Sequence, residues 1–390
     1  MVRKASGSTP APVRHSTLRP SVAIGLVLLA LVAWGIVFAW QSRVAPAQRH
    51  IDAAIEYTHQ RLGREAEQEW RAALRLDPNN ADAWEQLGEL YLSTKDWPAA
   101  VEPFRQLLRL QPNTPHVYER LAVATWRSGD EVSALKYAEE ELKRDPNNLG
   151  SLSIAAALLI DVGDDAKRLQ YLRRLAQRLP DDVDTLTTLA EAMTSQYAYA
   201  DARPVLAHIL QLDPNNLSAY ELRGQGWLAE NQLSQAETDF KQALKLNPHA
   251  PLAQFYLGKL YRRQGKPAQA LPLLEAAEQA LPMRSDVAFE LSGVYSRLGQ
   301  QQKAAAALAH FQALREQADR INRLELRCTT DPNDFEAHRE RGLIALQQGD
   351  YRRARYYLHR AQQLRPDDAM TQQALTQLAA LLGASGAGRP

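Results

Sequence analysis

Residue types that could do chemistry are present in this chain but are not grouped for it. Its nine histidines are scattered, with no His-Glu-x-x-His or comparable ligand pair on one helical face. There is no Gly-x-Ser-x-Gly turn to raise a nucleophile, no glycine-rich phosphate loop and no dinucleotide fingerprint. The acidic pairs Asp164-Asp165, Asp181-Asp182 and Asp367-Asp368 fall at turns, where capping and solvation account for them. Cys328 is the single cysteine, which excludes an intrachain disulfide and a cysteine-based zinc site. On a helical stripe it reads as a small apolar residue rather than a reactive thiol. These patterns predict a noncatalytic chain with no cofactor, no bound metal and no small-molecule substrate. Lys plus Arg number 46 and Asp plus Glu 45, a net charge of +1. That balance gives no support to a nucleic-acid partner, which would need a basic excess.

The elements that must position these side chains are set by proline. The chain has 21 prolines. Those at 78, 112, 146, 180, 214, 248 and 282 recur every 34 residues, as do Pro332 and Pro366. The interval from Pro282 to Pro332 is 50, so 16 residues are inserted there. Such a lattice is an internal repeat. Other positions keep the register. Small residues recur at the eighth position (Gly88, Ala122, Ala156, Ala190, Gly224, Gly258, Ser292, Gly342), which predicts close approach of two helices. Apolar spacings of 3, 4 and 7 within a unit are helical. Gly129, Gly163, Gly265, Gly299 and Gly349, with Asn231, share the fifteenth position and end a first helix. The lattice proline follows a second helix, with Asp and Asn beside it as turn and capping residues.

Residues 1–20 are polar, basic and rich in Ser and Pro, and read as a disordered tail. Residues 21–40, SVAIGLVLLALVAWGIVFAW, carry no charge. About 20 residues of helix span ~30 Å, so the run reads as a transmembrane helix. It is longer than the apolar core of a cleavable signal peptide. Arg3, Lys4, Arg14 and Arg19 precede it against Arg43 and Arg49 after it. This favours an inside N-terminus and, in a bacterium, a periplasmic body on the cytoplasmic membrane. A cytoplasmic body is the alternative.

The 34-residue pattern resembles the tetratricopeptide repeat (TPR) family. The motif W-x2-L-G-x2-Y stands intact from Trp84 through Leu87 and Gly88 to Tyr91, followed by Ala100, Phe104 and Pro112. The resemblance implies an all-α fold, an α-solenoid of about nine helical hairpins. After a linker at 41–46, units 1–8 would fill 47–334, with an extended helix at about 301–329. Unit 9 would fill 335–368, a capping helix 369–383 and a disordered tail 384–390. Units starting at 149 and 183 are degenerate, with Arg168 replacing the recurring twentieth-position alanine. In the insertion, Leu308, Phe311, Leu314, Ala318, Ile321, Leu324 and Cys328 keep a helical stripe, consistent with one long helix or a hinge.

The resemblance also implies a concave groove lined by unit positions 2, 5, 9, 12 and 13. Units two to six place Asp82, Glu85, Glu89, Glu119, Asp161, Asp184, Glu191 and Glu221 there, with Arg127 as the basic exception. Units seven to nine place Lys259, Arg262, Arg263, Arg297 and Arg339 there, with Phe255 and Phe289, opposed by Asp286 and Glu336. Trp126 is a further candidate anchor. The expectation is a groove acidic at one end and basic-aromatic at the other, holding protein or peptide partners. No unit carries the Lys-and-Asn pair by which some TPR domains clamp a C-terminal carboxylate. The function implied is a membrane-tethered adaptor or scaffold for an envelope-associated complex. A holdase-type chaperone for exported polypeptides is the alternative.

Overall fold

The computed structural model describes residues 46–162 and 164–386. The apolar run 21–40, expected to cross the membrane, lies outside them. Among the described residues no helix is long and apolar enough to cross a membrane, and there is no strand. The chain divides after Ser128 into two compact units, a boundary that the repeat pattern does not announce.

The first unit holds α1 (46–59), α2 (Gly63–Leu76), α3 (Ala81–Ser93), α4 (Trp97–Leu110) and α5 (Val117–Ser128). The second begins with α6 (Glu131–Arg144), α7 (Leu149–Val162), α8 (Asp165–Arg178), α9 (Val183–Ser195) and α10 (Tyr199–Leu212). It continues with α11 (Leu217–Ala229), α12 (Leu233–Leu246), α13 (Pro251–Arg263), α14 (Pro267–Ala280) and α15 (Ser285–Arg297). The long α16 (Gln301–Thr330), α17 (Phe335–Gln347), α18 (Tyr351–Leu364) and α19 (Ala369–Gly386) complete it. Helix α19 runs three residues past the expected end of the capping helix at 383.

Local chemistry starts and stops these helices. Two residues after a lattice proline, Asn80, Asn148, Asp182, Asn216, Asp334 and Asp368 each accept a backbone N–H of the next helix's first turn. Each thereby satisfies a donor the helix itself cannot. Asp96, Asp130, Asp164 and Asp350 do the same for second helices. The turn between paired helices needs one left-handed residue. Gly129, Gly265, Gly299 and Gly349 supply it with φ of 74–88°, and Asn231 with 61°. Arg61, Lys95 and Tyr197 stand at the same repeat position and adopt φ near 60° as well. The turn therefore imposes the conformation on whatever residue is there, although a side chain costs about 1 kcal/mol in it.

Small eighth-position residues let the paired helices touch. A Cβ on Gly88 would stand 2.7 Å from the Phe104 ring, and one on Gly224 2.6 Å from the Phe240 ring. Phe104 and Phe240 are fully buried as a result.

Helix α16 has 30 residues, against 14 in α12 and α14. Sixteen extra residues add ~24 Å. Its first half packs on α15 through Ala307, while Leu324 and Cys328 in its second half pack with Ala337, Ile344 and Tyr357 of the last hairpin. Leu308 and Ala318 break the expected apolar stripe and are exposed. Cys328 is buried, and desolvation pushes its thiol up to about 11.

Candidate functional site

In the first compact unit Glu85, Glu89 and Glu119 already have basic neighbours, while Asp82 is exposed. Glu85 and Glu89 stand one turn apart on α3, and Arg120 of α5 bridges them, 3.2 Å from Glu85 and in contact with Glu89. Glu119 is half-buried, with His116 3.6 Å away. A cavity of about 620 Å³ opens beside this pair, between Pro112, His116, Glu85 and Arg120. Trp126 is also half-buried. The Arg127 guanidinium lies 5.2 Å from its ring and 5.9 Å from that of Trp97. Cation–π contact of this kind holds the indole in place.

In the second unit the charged residues divide by role. Asp184 and Glu191 on α9 are exposed, while the side chain of Asp161 lies outside the described residues. Glu221 is buried and accepts the Ala253 N–H at 3.0 Å. The residue before helix α13 is Ala250, which has no side chain able to cap it. The preceding repeat thus supplies the missing cap. Desolvation raises the Glu221 pKa, and the Ala253 N–H pulls it back. Glu221 is therefore a structural acceptor between repeats and offers no carboxylate to a groove.

Phe255 requires a similar correction. It is fully buried in the core with Leu228, Val287 and Leu291, its ring 4.9 Å from that of Tyr256 and 4.8 Å from the Arg284 guanidinium. It anchors hairpin to hairpin. Phe289 differs, being 46% exposed on α15. Its ring lies 5.2 Å from Phe311 of α16, the Arg262 guanidinium lies 5.9 Å from Phe289, and that of Arg315 lies 5.8 Å from Phe311.

The basic residues are partly committed inside the fold. Arg262 contacts the buried Glu290, with Lys259 3.8 Å from the same carboxylate. Arg263 donates to the Leu228 carbonyl at 3.1 Å, and Arg297 to the Arg262 carbonyl at 2.8 Å. These two contacts are the same device one repeat apart. An exposed arginine closes the C-terminal end of the preceding first helix, where cations also suit the helix dipole. Each uses one nitrogen of a five-donor fork. Arg339 contacts Glu336 and lies 3.3 Å from Asp368. The groove residues are thus brought together as pairs and caps more than as two opposed fields. Among the described residues no three His, Cys, Asp or Glu converge in a metal-sized group.

Models of the tetratricopeptide repeat match residues 51–115, 96–148 and 222–285, and a second such model matches 335–368. The chain belongs to the TPR family. No curated protein matches it in sequence. Among solved structures it is similar to YrrB, a TPR protein with an unusual peptide-binding site. The two are 16% identical, with a TM-score of 0.43, over 47% of this chain and 95% of that one. It is also similar to MamA residues 41–end from Desulfovibrio magneticus RS-1, at 19% identity and TM-score 0.39, over 43% and 94% of the two chains. A third likeness is the C-terminal part of a TPR protein from Cytophaga hutchinsonii, at 13% identity and TM-score 0.46, over 61% and 98%. TPR arrays are in general a noncatalytic protein-interaction fold.

Several residues that matter most to this TPR chain escaped a reading by groove position. Arg223 and Arg341 occupy the seventh position, where Leu87, Leu121, Leu189, Leu257 and Leu291 recur. Arg223 forms a two-pronged pair with the buried Asp239 at 2.7 and 2.9 Å. Arg341 reaches Glu325 at 2.8 Å and stacks 5.2 Å from Tyr357. Their signal was the break in the leucine column, which a search for groove charges passes over. Glu290 gave no such signal.

Proposed function

We propose that this TPR protein is a noncatalytic adaptor, tethered by residues 21–40, that holds a peptide or protein partner for an envelope-associated complex. The surface offered for capture is the aromatic-basic patch on α13, α15 and α16. One observation carries this reading: Phe289 stays half exposed beside Phe311, with Arg262 over the Phe289 ring and Arg315 over the Phe311 ring. The other candidate aromatics, Phe255 and Trp126, are buried or half-buried. An exposed aromatic beside a guanidinium, with a second aromatic–guanidinium pair next to it, fits a short segment carrying an apolar anchor next to carboxylates. Arg263 and Arg297 add donors beyond the one each uses as a cap.

A photoreactive amino acid placed at Phe289 in the full chain tests this in intact cells. A few defined crosslinked partners, lost with Arg262→Glu, are expected. A broad smear of clients identifies a holdase instead, and the absence of crosslinks overturns the site. The tether is tested separately, by a reporter active only outside the cytoplasm fused after Pro390. Activity is expected, and activity only of a cytoplasmic reporter reverses the orientation.

A further inference from the structure

Arg355 on α18 donates to Glu131 at the start of α6 at 2.9 Å, across 224 residues of sequence. In a solenoid each repeat normally touches only its neighbours. A contact at this separation is therefore not a step of the stack. It requires the second compact unit to turn back on its own beginning.

Three observations mark the contact as built. Glu131 is 8% exposed, so its carboxylate is withdrawn from water and needs a counter-charge. The Arg355 guanidinium also lies over Gly129, where a Cβ would stand 3.0 Å from the nearest nitrogen. Gly129 has φ +88°, so a residue without a Cβ sits under the guanidinium and meets the turn at no steric cost. Arg352 is three residues from Arg355, hence on the same face of α18, and lies 3.5 Å from the Ala157 carbonyl of α7. One face of the last hairpin thus meets both α6 and α7.

We propose that α18 is a latch. Closed through Arg355 and Glu131, it holds the last hairpin against the start of the second unit.

The test uses the full chain in detergent micelles with Cys328→Ala and spin labels at Val132→Cys and His359→Cys, both exposed. The wild-type latch gives one short interlabel distance. Arg355→Glu, which sets two carboxylates against each other, is expected to lower the closed population at least about tenfold. Adding Glu131→Arg to that variant restores it. Thermal melting of each variant shows that the helices remain folded. A short distance unmoved by Arg355→Glu, or a double variant that stays open, overturns the latch.

Discussion

Arg168 on α8 and Arg341 on α17 both occupy repeat positions that other units give to alanine or leucine, and both are buried. Arg341 has a carboxylate waiting, with two of its nitrogens 2.8 and 2.9 Å from Glu325 on α16 and its plane stacked near Tyr357. Arg168 has none. Among the described residues it makes no ion pair, and burial lowers its pKa against the opposing pull of Asp165 and Glu191. The difference lies in compensation. A repeat column tolerates a charge when a second substitution answers it, as Asp239 also answers Arg223. The long α16 belongs to the answered case, because Glu325 sits in its inserted half.

The comparison breaks most sharply by removing the answer. Glu325→Ala leaves Arg341 buried and unpaired, which should cost about 3 kcal/mol. Arg341→Leu restores the column's own residue and leaves Glu325 free to hydrate, so its cost should be under about 1.5 kcal/mol. Denaturant unfolding of both variants measures this. Equal losses would show that Glu325 does not compensate Arg341. At Arg168 the sign reverses. Arg168→Met removes an uncompensated charge and keeps an unbranched apolar stem, and should raise stability by about 1 kcal/mol. A loss of that size would reveal a hidden partner for the guanidinium.

The same contrast explains what was legible in advance. Hairpins, turn positions and the long helix follow from the 34-residue lattice, because capping, left-handed turns and close helix approach each demand a residue type at a fixed offset. Arg168 stood out as a break in its column. The fate of individual charges did not follow. Position 5 holds Glu85, Glu221, Phe255 and Phe289, yet the structure makes them an ion-paired acid, a helix cap, a core residue and an exposed ring. Which role results depends on whether the neighbouring repeat lacks a cap or leaves a gap, and periodicity does not encode that. Glu221 offers a direct check. Glu221→Gln keeps the acceptor for the Ala253 N–H without the desolvated charge and should leave stability at pH 7 unchanged or slightly higher. Glu221→Ala, which removes the acceptor, should cost about 1 kcal/mol.

Alkaline titration sharpens the comparison from the protonation side, with a smaller effect. Around Arg341, burial pushes the Cys328 thiol up to about 11 and raises the Tyr357 phenol further. A folded-state pKa above the unfolded one means that the folded chain holds the proton more tightly. The resulting stability is complete below the ordinary thiol pKa near 9 and is lost as pH rises toward 11. Around Arg168, burial likewise raises the Tyr171 phenol, whose ordinary pKa is 10, so that region should respond only at higher pH. The last hairpin should therefore loosen first. Alkylation of Cys328, timed against pH, reads this locally. Its rate should stay below that of an unfolded cysteine through pH 9 and climb toward it between about 9 and 11. In Arg341→Leu the nearby positive charge that favours the thiolate is gone, so the climb should shift to higher pH; a shift the other way would mean that the guanidinium shields the thiol rather than attracting its anion.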